Sequence, residues 1–193
     1  EWREYKEVYP NLPIFLPPKA TERKIILKKD SLTILGAVFT PPFTLSQLAE
    51  KLGPAHIVLQ NGTRKSPITG RESPYTQALA LWDELGLQGW LDEDEQTIKT
   101  IGVRVAAQGE YAVRQTFDGA VWIGSKDYRE ASWKDFAGFA HTLKLGGFTV
   151  YTRLPGPVPE EQSAQKAKLE ALSAMVQISW KEPENKAAKA QKY

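Results

Sequence analysis

The chain has 193 residues, of which 41% are hydrophobic and 25% charged, a composition typical of folded globular proteins. It contains no cysteine and only two histidines, which excludes disulfides, cysteine-ligated metals, a cysteine nucleophile and a histidine-rich metal site. The net charge is only +2, but residues 81–95 carry six acidic side chains and no basic one, which leaves +8 for the other residues. A basic body of this kind favours a phosphate-rich partner. The longest apolar run, 32–43, is too short for a membrane span.

The first third of the chain predicts short strands around one helix. Residues 1–9 are charged and aromatic and predict a short helix or arm. Segments dominated by β-branched and apolar residues predict strands at 12–16, 23–29, 32–39 and 56–60. Residues 44–52 have apolar residues at helical spacing, so they predict a helix with Thr44 as its N-cap and Gly53 at its end.

The middle of the chain changes composition. Residues 61–73 are polar and basic and predict a loop. Residues 77–90 predict a helix with a break at Gly86. Residues 92–95 are all acidic and predict an exposed turn, because the cluster lacks the alternating ligand spacing of a calcium loop.

The second half repeats the pattern of strands followed by a helix. Strands are predicted at 97–106, 110–117, 120–124 and 148–152, with short turns between the first three. Residues 132–145 predict a helix that begins with the capping sequence Ser132 to Asp135. Residues 160–180 predict an amphipathic C-terminal helix, which a charged tail follows.

These elements predict an α+β fold built from two antiparallel strand-meander-plus-helix units. The units are residues 11–60 and 97–147, and residues 61–95 form an insertion between them. Together they make one domain over 1–155, and 156–193 form the C-terminal helix and tail.

No motif of a catalytic or cofactor site is present. The sequence lacks a phosphate-binding glycine loop, a nucleophile elbow and a zinc-binding helix motif. His56 and His141 are predicted to be structural or exposed. We therefore expect no enzyme activity, no cofactor and no metal.

Basic residues on the predicted strands are the remaining functional signal. Arg104 and Arg114 lie on the small-residue faces of neighbouring predicted strands, so a sheet covered by helices on its other face would display both to a sugar–phosphate backbone. Alternatively, they are ordinary outward residues of an antiparallel sheet. Trp122 either stacks on bases or belongs to the core. The candidate RNA-binding residues are Lys24, Lys28, Arg64, Lys65, Lys99, Arg104, Arg114 and Trp122.

Two stretches resemble the Whirly family. LPIFLPPKATERKIILKKDSLTILGAVFTP followed by FTLSQLAEKLGPAHIVLQ is similar to its first half, and TIKTIGVRVAAQGEYAVRQTFDGAVWIG with SWKDFAGFAHTLKL is similar to its second. The Lys-Gly-Lys-Ala-Ala-Leu strand of the plant members is absent, and the segment 61–95 is longer. These departures favour the Whirly-like mitochondrial RNA-binding proteins of kinetoplastids over the plant proteins that bind single-stranded DNA.

The resemblance implies that the chain is a guide-RNA-binding and RNA-annealing protein of mitochondrial RNA editing. It implies backbone contacts to single-stranded or stem-loop RNA, a related partner chain in a heterotetramer, a mitochondrial location and no membrane. By strand position it assigns RNA contacts to Lys24, Lys28, Lys99, Arg104 and Arg114. The alternatives are single-stranded DNA binding and a non-catalytic structural subunit of an organelle complex.

Overall fold

The computed structural model describes residues 2–8, 11–12, 23–66, 68–107, 111–128, 142–151 and 175–181, and these form a mostly β structure. The strands in the first half are β1 (Trp2–Val8), β2 (Lys24–Leu27), β3 (Leu32–Ile34), β4 (Ala37–Phe39), β5 (Phe43–Thr44), β6 (Ala55–Lys65), β7 (Glu72–Trp82) and β8 (Leu87–Leu91). Those in the second half are β9 (Thr97–Arg104), β10 (Ala120–Ile123), β11 (Lys126–Asp127), β12 (Thr142–Leu145), β13 (Phe148–Tyr151) and β14 (Met175–Trp180). One α-helix, α1 (Leu45–Leu52), joins β5 to β6.

The strands form two sheets. The nine-stranded sheet has the order β1-β6-β7-β8-β9-β14-β13-β12, with the short β5 also paired to β9. The five-stranded sheet has the order β11-β10-β2-β3-β4, in which only β10 and β2 run parallel. The parallel pair brings a distant part of the chain beside the first hairpin, so residues 24–27 and 120–123 lie side by side.

The main core lies between the inner faces of the two sheets. Ile25 and Leu27 point inward from the five-stranded sheet, while Ile101 and Val103 point inward from the nine-stranded sheet. All four are at most 2% exposed and belong to one continuous apolar cluster, which the buried face of α1 also joins. Burial of apolar side chains at this density is the main stabilising contribution to such a sandwich.

The helix α1 confirms its prediction at both ends. The Thr44 hydroxyl accepts a hydrogen bond from the Gln47 backbone N–H at 3.3 Å, and the Gln47 side chain accepts one from the Thr44 N–H at 3.2 Å. This reciprocal capping box satisfies two N–H groups that a helix start leaves without partners. At the other end, Gly53 has a φ of 86°, which suits glycine, and its N–H donates to the Ala49 carbonyl.

The predicted α+β fold class is wrong, because strands stand where two of the helices were expected. Residues 77–90 form β7, a single 3-10 turn and β8. Their apolar side chains are buried on both faces of the sheet, and a continuous apolar run does not distinguish such a strand from a helix. The end of the predicted C-terminal helix, 175–180, is β14 between β9 and β13.

Of the other predicted secondary-structure elements, some are confirmed and some are wrong. Strands at 23–29, 32–39, 56–60, 97–106, 120–124 and 148–152 are confirmed, although the second of these is two short strands joined by a turn. Residues 2–8 form an edge strand rather than a helix. The end of the predicted 132–145 helix is the strand β12. Three predicted segments lie outside the described residues: the rest of that helix, residues 160–174, and the strand 12–16 except for Leu12.

The predicted loop 61–73 is wrong for most of its length. β6 and β7 are 11 residues each and pair from His56 with Leu81 out to Lys65 with Glu72. Among the described residues, β1 reaches only to Gln60 and β8 only to Leu79, so the end of this hairpin extends beyond its neighbours. Within the described part of the chain, no helix is long and apolar enough to cross a membrane.

Candidate nucleic-acid interface

The outer face of the five-stranded sheet brings together three of the predicted site residues. Along β2, Ile25 and Leu27 are fully buried, so Lys24 and Ile26 point to the other side. Lys28 follows the strand and is exposed. Trp122 of β10 pairs in register with Ile26 and is partly buried. The predicted grouping of Lys24, Ile26 and Lys28 on one face agrees with this arrangement, and Trp122 joins them.

Two further residues on this face were not predicted. Thr33 of β3 pairs with Ile26, and Val38 of β4 pairs with Thr33, so both continue the same row across the sheet. Val38 is 64% exposed, which is unusual for a large apolar side chain in a strand. The sequence pattern that could have indicated both residues is the alternation of apolar and polar side chains within 32–39. The turn at Leu35–Gly36 divides this segment into two strands, β3 and β4. We call Lys24, Ile26, Lys28, Thr33, Val38 and Trp122 the cationic face.

The cationic face carries two lysines and, at the end of the row, one carboxylate, because Asp127 of β11 pairs with Trp122. Residues 23–39 contain four cations and a single acid, Asp30. Arg23 is held by Asp118 in a two-pronged ion pair, with its Nη1 at 2.7 and 2.9 Å from the carboxylate oxygens. In the described part of the chain, no carboxylate lies within ion-pair distance of Lys24 or Lys28. The charge of these two lysines is therefore directed to solvent.

Arg104 does not lie on an open face, so its predicted role as an exposed RNA contact is wrong. Its side chain is buried, and the residue is only 8% exposed. The guanidinium donates to four backbone carbonyls, those of Ala106, Ala107, Val113 and Arg114, at 2.6 to 3.2 Å. A planar fork of donors suits this role, because one side chain can satisfy several oxygens at once.

Arg114 is not on a strand next to Arg104, as the prediction required. Residues 111–117, which we call the cover segment, form no strand. Tyr111 and Val113 pack on the outer face of the nine-stranded sheet, whereas Phe117 enters the main core. Two backbone N–H groups of the cover segment donate to side chains instead of to a partner strand. The N–H of Val113 donates to the side-chain oxygen of Gln88, and that of Arg114 donates to the carboxylate of Asp83 at 2.7 Å. Arg114 is exposed, but the face beneath it is covered.

Tyr111 completes the packing around Arg104. The guanidinium carbon lies 5.8 Å from the centre of the Tyr111 ring, which is a cation–π distance. Burial raises the pKa of the Tyr111 hydroxyl, and the nearby positive charge of Arg104 opposes that shift. The cation thus contributes to packing rather than to a binding surface.

Lys99 lies on β9, away from the cationic face, and is paired. Its Nζ is 2.6 Å from a carboxylate oxygen of Asp92. This hydrogen bond raises the pKa of Lys99 and lowers that of Asp92. The hydroxyl and N–H of Thr97 similarly lower the pKa of Asp94, so the acidic turn is organised by its own hydrogen bonds.

Arg64 and Lys65 lie at the end of β6, where they pair with Ser73 and Glu72 in the projecting hairpin. They belong to the nine-stranded sheet, so the structure does not join them to Lys24 and Lys28 in one strand array. Arg71 follows the hairpin turn and is exposed.

The structure provides no metal site among the residues it describes. No group of three or more histidine or acidic side chains is close enough to hold an ion there. His56 is partly buried in β6, and His141 lies outside the described residues.

Residues 24–137 match the family model described as a domain of unknown function (DUF7738). The match covers more than half of the chain, and the protein belongs to this family. No curated protein and no solved structure matches the chain. The matched range contains the whole cationic face and the cover segment.

Proposed function

We propose that this protein binds single-stranded RNA through its phosphate backbone and that the cationic face is the binding surface. The observation that carries the proposal is the placement of Lys24, Lys28 and Trp122 on one outward sheet face. Lysine ammonium groups attract phosphates, and an aromatic ring offers a stacking surface that accepts any base. These contacts bind without strong preference for sequence.

The spacing on this face fits an extended polyanion. Four residues along a strand span about 13 Å, so Lys24 and Lys28 can reach different phosphates of one backbone. Trp122 lies in the row between them, because its strand partner is Ile26. The neighbouring apolar surface of Ile26 and Val38 can contact a ribose or a base.

The resemblance to the kinetoplastid proteins adds finer expectations to the same proposal. On that basis the RNA would be a guide RNA, and binding by the backbone would leave its bases free to pair with a messenger RNA. The mitochondrial location and the related partner chain belong to this version of the proposal. Both depend on the resemblance.

Fluorescence anisotropy with a labelled single-stranded RNA of about 20 nucleotides tests the proposal. We expect affinity to fall steeply as salt rises from about 50 to about 200 mM, because each neutralised phosphate releases counterions. Absence of binding at the lowest salt, or an affinity that salt does not change, would contradict RNA binding through phosphates.

A matched pair of variants tests the surface. Lys24→Gln with Lys28→Gln removes two charges from the cationic face, and we expect roughly tenfold weaker binding and a shallower salt slope. Lys51→Gln with Lys144→Gln removes the same charge from α1 and β12, and should have a much smaller effect. Equal losses of RNA affinity in the two double variants would show that net charge, and not the cationic face, determines affinity.

A competition experiment with single-stranded DNA of the same sequence tests whether the protein prefers RNA or DNA. More effective competition by RNA would support the RNA assignment, because the 2′-hydroxyl is what distinguishes the two backbones. Tighter binding of the DNA would favour the single-stranded-DNA alternative, and failure of both strands to bind would favour the structural subunit.

A further inference from the structure

A cleft opens on the outer face of the other sheet, where β6, β7 and β8 meet. Its volume is about 350 Å³, and it is lined by Gln60, Thr63, Tyr75, Gln77 and Trp90. We call this group the neutral cleft, because none of its five residues is charged. The volume lies within the range of small-molecule sites.

Tyr75 is placed at the cleft by a glycine on the neighbouring strand. Gly62 pairs directly with Tyr75, and a Cβ atom at Gly62 would lie 2.7 Å from Cε1 and 2.8 Å from Cζ of the ring. Such distances are too short for a side chain, so only glycine lets the ring lie across the sheet at this point.

Trp90 is placed in the same way by a second glycine. A Cβ atom at Gly102 would lie 2.7 Å from Cζ3 and 2.9 Å from Cη2 of the indole, and 2.7 Å from the sulfur of Met175. The absence of a side chain at Gly102 therefore leaves room for the six-membered ring of Trp90 on the sheet surface. Two aromatic rings lying over glycines thus contribute to one polar cleft.

The amide groups of the cleft add hydrogen-bonding capacity. Gln60 and Gln77 face each other as a direct cross-strand pair. The Gln77 Nε2 donates to the backbone carbonyl of Leu91 at 2.7 Å and to that of Ala78 at 3.2 Å. With its nitrogen fixed in this way, the side-chain oxygen of Gln77 is left as an acceptor.

We infer that the neutral cleft binds a neutral saccharide. A sugar ring has an apolar C–H face, which contacts the negatively polarised face of an aromatic ring, and hydroxyl groups that exchange hydrogen bonds with amides. The neutral cleft supplies both kinds of partner. None of the described residues that line the cleft is charged, which disfavours a phosphorylated or carboxylated ligand, because such a ligand would need a compensating cation.

This inference does not depend on the proposed RNA function. The cationic face belongs to the five-stranded sheet, whereas the neutral cleft belongs to the nine-stranded sheet. Loss of one activity therefore need not affect the other.

Protein-detected NMR with a panel of neutral hexasaccharides built from glucose, xylose, mannose or N-acetylglucosamine tests the inference. We expect at least one of them to shift the indole N–H of Trp90 with a dissociation constant of about 1 mM or below. No shift with any member of the panel, or shifts only outside the neutral cleft, would overturn it.

Three variants locate the binding. Trp90→Ala should weaken the best saccharide about tenfold or more, and Gly102→Ala should weaken it severalfold by displacing the indole. Gln60→Ala keeps both rings and should still weaken binding, which covers the case in which Trp90→Ala does not fold. Trp122→Ala alters an aromatic ring on the other sheet and should leave saccharide affinity unchanged. Equal affinities for wild type and the Gln60→Ala and Gly102→Ala variants would overturn the assignment.

Discussion

The outer face of the five-stranded sheet and that of the nine-stranded sheet carry different chemistry, although the inner faces of both sheets pack into one apolar core. On the first, Lys24 and Lys28 point to solvent beside Trp122. On the second, Arg104 is buried beneath the cover segment, and the open part is lined by amides and aromatic rings. A cation on a strand is therefore a binding group where its face stays open, as for Lys24, and a structural group where another segment covers it, as for Arg104.

The largest expected effect tests the structural half of this comparison. Arg104→Met removes the donors of four backbone carbonyls, and we expect a loss of about 3–5 kcal/mol in the free energy of unfolding. Urea denaturation measures it. Arg114→Met removes the same charge from an exposed position and should cost less than about 0.5 kcal/mol. Similar losses for the two variants would mean that Arg104 does not hold the cover segment.

The next effect sharpens the contrast between the two partly buried tryptophans, Trp122 and Trp90. Trp122→Ala should weaken RNA binding by about 1–3 kcal/mol, because it removes the stacking ring of the cationic face. Trp90→Ala should leave RNA affinity nearly unchanged, since Trp90 lies on the other sheet. The measurement is the same anisotropy titration, with circular dichroism to show that both variants fold. A larger loss from Trp90→Ala would place RNA on the nine-stranded sheet.

A smaller effect tests how the cover segment is attached. Asp83 accepts the backbone N–H of Arg114 at 2.7 Å, so Asp83→Ala should reduce stability by about 1 kcal/mol. The neighbouring Glu84 is exposed and serves as the control, with little change expected for Glu84→Ala. Hydrogen exchange at residues 111–117 should also become faster in the Asp83 variant alone.

The smallest effect concerns the acidic turn, in which Asp94 is exposed. The pKa of Asp94 is lowered from its ordinary value of 3.8, so its contribution to stability is present above that value and is lost as pH falls through the lowered pKa. Asp94→Ala should lower the urea midpoint at neutral pH, and the difference from wild type should disappear in acid, below the lowered pKa of Asp94. Glu93→Ala removes a neighbouring exposed carboxylate of the same turn and serves as the control. A difference that persists in acid would assign the effect to packing instead.

The sequence predicted the local elements better than their assembly. The helix α1 was predictable because Thr44, the apolar spacing and Gly53 all act within a few residues of one another. Residues 77–90 were not, because burial on both faces of a sheet removes the alternation that identifies a strand. β14 was missed for a different reason, since its six residues extend a longer segment with helical spacing.

The candidate site shows the same limit. Lys24, Ile26 and Lys28 were placed on one face correctly, because strand alternation alone decides it. Arg104 was misplaced because its partners are carbonyls of a segment that crosses the sheet without forming a strand. The pairing of Trp122 with Ile26 depends on the parallel contact between β10 and β2, which joins residues far apart in the chain.

The most direct test of the account is a map of RNA contacts on the folded protein. The measurement is the change in backbone amide and indole NMR shifts as an unlabelled single-stranded RNA of about 16 nucleotides is added at low salt. We expect the largest shifts in β2, β3, β4 and β10, with Lys24, Thr33, Val38 and Trp122 among them. Shifts confined to β6, β7 and β8, or no shifts at all, would contradict it.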